Sequence, residues 1–194
     1  MKNTPAGTII YLHGFMSVGD TPKSQALKQA FGDANVISID LPIRPNDVIK
    51  AIDKIVRQVK VFPVVFVGTS LGGFYANYFA QKYDCPGILV NPATVPSKTL
   101  YRAIGYNKNH KTGKDILWTL EDVEQLAAME REVSTIHSGG LVNLFVARDD
   151  EVVSPDETLG NYPYTVSTKV YDTGGHRFED NWADVVERVR EVLS

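Results

Sequence analysis

Short runs of apolar, often β-branched residues alternate along this chain with longer segments in which apolar residues recur every three or four positions. Six runs have strand length, and most are continuously apolar, which is typical of strands buried on both faces of a parallel sheet. The predicted strands are Thr8–Leu12, Val36–Ile39, Val64–Val67, Gly87–Val90, Leu141–Val146 and Val166–Tyr171. Helical periodicity between the runs predicts an α/β domain with a mostly parallel sheet of about six strands and helices on both faces.

One connection is much longer than the others. About fifty residues separate the fourth and fifth predicted strands, whereas a parallel crossover needs only about a dozen. Within this stretch, Thr119 and Asp122 have the spacing of a capping box and predict a helix. We therefore expect a single domain, residues 1–194, with a small cap insertion at about 94–132 over the carboxyl edge of the sheet, where ligands bind in open α/β folds.

A glycine-flanked serine follows the third predicted strand and precedes a helical segment. The residues Gly68-Thr69-Ser70-Leu71-Gly72 fit the pattern G-x-S-x-G, and strand, tight turn and helix are the context that the nucleophile elbow of α/β-hydrolases requires. The segment lacks the ending of a phosphate-binding loop and the start of a dinucleotide fingerprint. Ser70 is the predicted nucleophile, and the alternative is an ordinary Gly-rich turn between strand and helix.

A serine nucleophile needs a base, which in this fold follows both the serine and the acid along the chain. Of the four histidines, His176 follows the last predicted strand in a Gly-Gly-His loop and is the predicted base. His13 precedes the serine, so we expect it to stabilise its own turn. His110 and His137 are expected at the surface.

The orienting acid is expected directly after the fifth predicted strand. Asp149, Asp150 and Glu151 stand in a row there, and a base-orienting role needs one acceptor for the imidazole N–H. The residues themselves leave the choice open, and a solvated acidic turn is the alternative interpretation.

An oxyanion hole is predicted from two backbone segments. The first strand ends in His13-Gly14-Phe15-Met16, where the N–H of Phe15 or Met16 can serve as one donor. The N–H of Leu71, the residue after the nucleophile, is the expected second donor.

Composition narrows the function classes further. The net charge is −3, without long blocks of like charge, which disfavours a nucleic-acid partner. The lone cysteine excludes an internal disulfide, and Met1–Tyr11 lacks the pattern of a signal peptide. No apolar run approaches the ~20 residues that span a bilayer. We expect a cytoplasmic protein without a membrane partner and, because the histidines and the cysteine lack zinc-site spacings, without a metal.

Five motifs together resemble the YqiA/YcfP-type esterases, which are small bacterial α/β-hydrolases. They are Tyr11–Phe15, Gly68–Ala76, Val90–Ala93, Arg148–Val153 and Gly174–Phe178, and the resemblance extends through nearly the whole chain. It implies esterase activity toward short acyl esters and no cofactor. In the family pattern the triad is the elbow serine, the Asp directly before Glu-Val and the His before an Arg/Lys-Phe pair. That pattern implies Ser70, Asp150 and His176, with Asp149 as the alternative acid.

The sequence thus predicts hydrolysis of small-molecule carboxylic esters by a Ser-His-Asp triad. Thioester hydrolysis or acyl transfer by the same triad is one alternative, because fold and triad do not separate these reactions. A non-catalytic binding module on a hydrolase scaffold is another. Tyr101, Tyr106 and Trp118 are candidates for an acyl pocket, unless they only attach the insertion to the core. The sequence gives no indication of the oligomeric state.

Overall fold

A six-stranded parallel sheet forms the centre of the molecule. The computed structural model describes residues 7–133 and 141–194. The strands are β1 (Thr8–Leu12), β2 (Val36–Ser38), β3 (Val64–Thr69), β4 (Gly87–Val90), β5 (Gly105–Lys108), β6 (Asp115–Trp118), β7 (Val142–Ala147) and β8 (Ser167–Tyr171). The main sheet has the order β2-β1-β3-β4-β7-β8 with every pair parallel. The predicted α/β class is confirmed, and each predicted strand agrees with its observed bounds to within two residues.

Helices cover both faces of this sheet. They are α1 (Pro22–Phe31), α2 (Pro45–Val56), α3 (Leu71–Tyr83), α4 (Pro96–Leu100), α5 (Leu120–Glu132), α6 (Pro155–Asn161) and α7 (Trp182–Leu193). Apolar residues of α1 and α7 form one core with one face of the sheet. Those of α2, α3 and α5 form a second core on the other face. Along β3, Phe66 points into the second core and Val65 and Val67 into the first, which explains why the strand is continuously apolar.

Two helices begin at caps that the local sequence specifies. At α5, the Thr119 hydroxyl accepts from the Asp122 N–H and the Asp122 carboxylate accepts from the Thr119 N–H, so the predicted capping box is confirmed. At α1, Thr21 and Ser24 make the same reciprocal pair, and Pro22 occupies the first turn between them. The cap of α1 fixes the first turn of that helix, which lies beside the site described below.

The long connection between β4 and β7 contains α4, the antiparallel pair β5–β6 and α5. The turn between β5 and β6 touches the loop that follows β1. The His110 N–H donates to the Met16 carbonyl oxygen at 3.2 Å, and the Asn109 side chain donates to the Ser17 carbonyl oxygen at 3.0 Å. This connection therefore reaches the carboxyl edge of the sheet.

Candidate active site

Ser70 occupies a strained turn between β3 and α3. Its φ is +56° and its ψ is −124°, a backbone conformation that non-glycine residues rarely adopt and that is typical of functional turns. The Ser70 N–H donates to the Val90 carbonyl oxygen at 3.1 Å, and the Ser70 carbonyl oxygen accepts from the Ala93 N–H at 3.0 Å. Bonds to the segment after β4 thus hold the strained residue from both sides.

Two glycines make this turn sterically possible. A Cβ at Gly68 would overlap the carbonyl oxygen of Gly72, and a Cβ at Gly72 would overlap that of Leu12 and lie 2.6 Å from that of His13. The start of α3 therefore packs directly on the end of β1. Gly14 follows β1 and lies next to the elbow, since a Cβ there would be in van der Waals contact with the Cβ of Ser70 at 3.4 Å.

His176 and Asp150 form a hydrogen-bonded pair. The His176 Nδ1 lies 3.0 and 2.9 Å from Oδ1 and Oδ2 of Asp150. The Asp150 side chain is 2% exposed and that of His176 18%. Burial alone would raise the pKa of Asp150, but hydrogen bonds from His176, Val153 and Val152 outweigh it, so the pKa lies below its ordinary value. An ionised Asp150 accepts a hydrogen bond from the Nδ1–H of His176, which leaves the Nε2 of neutral His176 free to act as a base.

The neighbouring carboxylates hold the backbone of the same loop. Asp149 accepts from the N–H groups of Gly174 and Gly175 at 3.2 and 2.7 Å, and Glu151 accepts from the His176 N–H at 3.0 Å. Of the two predicted candidates for the acid, the structure brings Asp150 to the imidazole and places Asp149 on backbone donors.

Asn91 connects the end of β7, just before the acid loop (Arg148–Val153), with the base loop (Gly174–Phe178). No role was assigned to it from the sequence. It is buried, with a φ of +42°. Its side chain donates to the Gly175 carbonyl oxygen at 2.9 Å and accepts from the Ala147 N–H at 2.9 Å. The only sequence signal was the Val-Asn-Pro-Ala motif at 90–93.

Ser70 and His176 line one cavity of about 480 Å³. Phe15 and Met16, the predicted oxyanion-loop residues, line it as well. Leu71 is the first residue of α3, so its N–H has no acceptor within the helix. The charged residues of the cavity wall are Lys23, Lys111, Glu151, Arg177 and Glu179. Of these, sequence reasoning considered only Glu151, as a member of the acidic row.

His13 fixes the loop after β1. Its Nε2 accepts from the Leu41 N–H at 2.9 Å. The Nδ1, 2.8 Å from the Gly14 carbonyl oxygen, must therefore carry the proton and donate it. Burial lowers the pKa of His13 against the opposing effects of Gly14 and Asp40. A neutral histidine with one tautomer is a structural element of this turn, in line with its expected role.

The three aromatic candidates do not line the cavity that contains Ser70. Tyr101 and Tyr106 are 61% and 80% exposed. Side chains alternate along β5, and Tyr106 is on its exposed face. Trp118 is buried, with its ring edge-on to Phe15 at 5.1 Å and its Nε1 donating to the Leu100 carbonyl oxygen. Trp118 therefore supports the cavity from behind Phe15.

The part of the chain that the structure describes contains neither a metal centre nor a membrane-spanning helix. Within residues 7–133 and 141–194, His, Cys, Asp and Glu side chains form no group of three that could hold a metal ion. None of the helices there is both long and apolar enough to cross a membrane. His110 is exposed, as expected, and lines the cavity that contains Ser70. His137 lies outside the described residues.

Solved structures with this architecture are numerous. The mouse alpha/beta hydrolase domain-containing protein 10 has a TM-score of 0.71 at 18% identity, covering 96% of this chain and 89% of its own. The esterase domain of a Rhodothermus marinus protein has 0.72 at 15%, covering 100% and 90%. A monoacylglycerol lipase from Paleococcus ferrophilus has 0.67 at 14%, covering 97% of each chain. The predicted α/β-hydrolase fold is confirmed.

The family assignment rests on the sequence itself. A family model matches residues 8–192, which is nearly the whole chain and includes the elbow, the acid loop and the base loop. The chain belongs to Uncharacterised protein family UPF0227, the YqiA/YcfP family that its motifs resemble.

Proposed function

We propose that this protein is a serine hydrolase that cleaves carboxylic esters with Ser70, His176 and Asp150. The observation that carries the proposal is the His176–Asp150 pair, whose histidine lines the same cavity as a serine in a strained elbow. A buried carboxylate that orients an imidazole beside a strained serine has the arrangement of a nucleophilic triad. Among the solved structures of this fold are an esterase domain and a lipase, which agrees with an ester substrate.

The reaction follows from these positions. The Ser70 Oγ attacks the carbonyl carbon while its proton passes to the Nε2 of His176, and Asp150 stabilises the resulting imidazolium. The N–H of Leu71 and that of Phe15 or Met16 donate to the oxyanion. The C–O bond then breaks, and His176 protonates the departing alcohol. Water, deprotonated by His176, then attacks the acyl-enzyme. The bond between the acyl carbon and the Ser70 Oγ breaks, His176 returns the proton to that oxygen, and the carboxylic acid is released.

A serine-reactive fluorophosphonate probe tests the nucleophile directly. The folded wild-type protein should be labelled at Ser70, as located by mass spectrometry, and Ser70→Ala should be neither labelled nor active on esters. Loss of a triad member can cost about 10⁶ in kcat. The unfolded wild-type chain is the control, because labelling there would show reactivity unrelated to the site. A folded wild-type protein that resists the probe would favour the binding-module alternative.

Thioester hydrolysis and acyl transfer use the same triad. Matched oxygen esters and thioesters, each assayed with and without a competing alcohol, separate these reactions by their products. We expect free acid from the oxygen ester as the main product in both conditions.

A further inference from the structure

The cavity that contains Ser70 carries more positive charge than its own carboxylates neutralise. Arg177 is 3.9 Å from Glu179, and Glu151 accepts from the His176 N–H. Lys23 and Lys111 line the same cavity. In the described part of the chain, neither lysine ammonium lies within ion-pair distance of a carboxylate.

Lys23 is held in place at the start of α1. Its carbonyl oxygen accepts from the Nε1 of Trp182 at 3.2 Å, and its ammonium lies 5.3 Å from the centre of the Trp182 ring. Burial lowers the pKa of Lys23 to about 8, the charge of Glu179 opposes this, and that of Arg177 adds to it. The Trp182 ring offsets only part of the cost of removing water from an ammonium that has no carboxylate partner. A negative group on a ligand would relieve it.

We propose that the Lys23 ammonium binds a negatively charged group of the substrate, so that the cavity prefers anionic esters over neutral ones of the same shape. This inference rests on the proposed ester hydrolysis and adds a substrate class to it. Lys111, at the exposed side of the cavity, also attracts an anion, and salt screens this attraction because the side chain is exposed. Glu151 and Glu179 would repel an anion, but Glu151 already accepts a backbone N–H and Glu179 lies near a guanidinium.

Two pairs of esters test this preference on either side of the scissile bond. For the acyl side, p-nitrophenyl hemiglutarate carries a carboxylate, and p-nitrophenyl 5-methylhexanoate has the same shape without charge. For the alcohol side, 4-(butyryloxy)benzoate is anionic and 4-(butyryloxy)benzamide is neutral. We expect kcat/KM to be at least about tenfold higher for the anionic member of one pair. This is the factor that a hydrogen bond between charged groups contributes. The pair that responds tells which part of the ester reaches Lys23.

Three variants assign the preference to Lys23. Lys23→Met keeps the apolar stem against Trp182 and should remove the preference, mainly through KM. Lys23→Arg should retain it. Lys28→Met is the matched control, since it removes one positive charge from the last turn of the same helix, outside the cavity wall, and should leave the preference intact.

The pH dependence gives a signature that a merely structural lysine would not produce. The ratio of kcat/KM for the anionic and neutral esters cancels the titration of the catalytic groups. This ratio should fall as the pH rises through about 8, where Lys23 loses its proton. In Lys23→Arg the ratio should stay constant to higher pH, because a guanidinium remains charged.

The possible results separate this inference from the proposed function. Equal kcat/KM within both pairs, or a preference that survives in Lys23→Met, overturns the role of Lys23 while ester hydrolysis stands. If neither neutral nor anionic esters are cleaved and the fluorophosphonate does not label Ser70, both proposals are wrong.

Discussion

Asp150→Asn should nearly abolish turnover while leaving the protein folded. The Oδ1 of Asp150 accepts from the N–H groups of Val152 and Val153 at 2.8 and 2.9 Å, and an asparagine oxygen can keep both bonds. The Nδ2 would then replace Oδ2, which lies 2.9 Å from the His176 Nδ1. An amide N–H there donates to Nδ1, so the imidazole proton moves to Nε2 and His176 can no longer accept the Ser70 proton.

The size of the effect follows from this change of tautomer. A serine protease loses about 10⁴ in kcat on the equivalent substitution, for the same reason. Asp149→Asn is the matched control, because it also removes one carboxylate charge from the same turn. Its amide oxygen can still accept from the Gly175 N–H, now 2.7 Å from Oδ1. We expect Asp149→Asn to lose less than about tenfold in kcat, since only the longer of its two bonds, from the Gly174 N–H at 3.2 Å, is lost.

Steady-state kinetics with a p-nitrophenyl ester measure kcat for both variants, and circular dichroism confirms that each is folded. Fluorophosphonate labelling rates provide a second readout, because labelling depends on activation of Ser70 by the base. A severe loss in Asp149→Asn together with a mild one in Asp150→Asn would refute the assignment of the acid.

Two further predictions concern the framework of the site. Gly72→Ala should destabilise the protein by several kcal/mol, because the new Cβ would overlap the Leu12 carbonyl oxygen. Gly160→Ala should stabilise it by about 0.5–1 kcal/mol, because this position in helix α6 has open space around it. Urea unfolding measures both changes, and a tolerated Gly72→Ala would contradict the close packing of α3 on β1. His13 should titrate below 6.5 and carry its proton on Nδ1 at neutral pH, which ¹⁵N NMR of the imidazole reports. Because the pKa of His13 is lower in the folded than in the unfolded chain, its contribution to stability is present above about pH 6.5 and is lost as the pH falls. An Nε2–H tautomer would disprove the hydrogen bond from the Leu41 N–H.

Most of the fold could be predicted because its signals are local. Each strand of the main sheet is a short apolar run, and the capping box of α5 involves only Thr119 and Asp122. The elbow could be recognised for the same reason, since the strand, the two glycines and the helix are contiguous. The choice between Asp149 and Asp150 is different, because adjacent turn residues point in different directions and only the folded loop decides which one meets His176.

The residues that sequence reasoning missed act over long separations. The Asn91 side chain donates to the carbonyl oxygen of Gly175, 84 positions away. The carbonyl oxygen of Lys23 accepts from the ring N–H of Trp182, 159 positions away. No local pattern indicates such partners. The aromatic candidates failed to reach the cavity for a related reason. Side chains alternate between exposed and less exposed positions along β5 and β6, which places Tyr106 and Trp118 in different environments. Only the packing of Trp118 against Phe15 determines which of the two is turned inward.

The acidic row at 149–151 has a structural role beyond the catalytic one proposed for Asp150. The base loop contains Gly174 and Gly175, both with positive φ, and such residues leave an isolated loop many conformations. Asp149 binds the N–H groups of both glycines, Glu151 binds the N–H of His176, and Asp150 binds its imidazole. Three consecutive carboxylates therefore fix three consecutive residues. This interpretation replaces the solvated acidic turn that the sequence alone allowed, and it explains how His176, on a glycine-rich loop, is held in the wall of the cavity that contains Ser70.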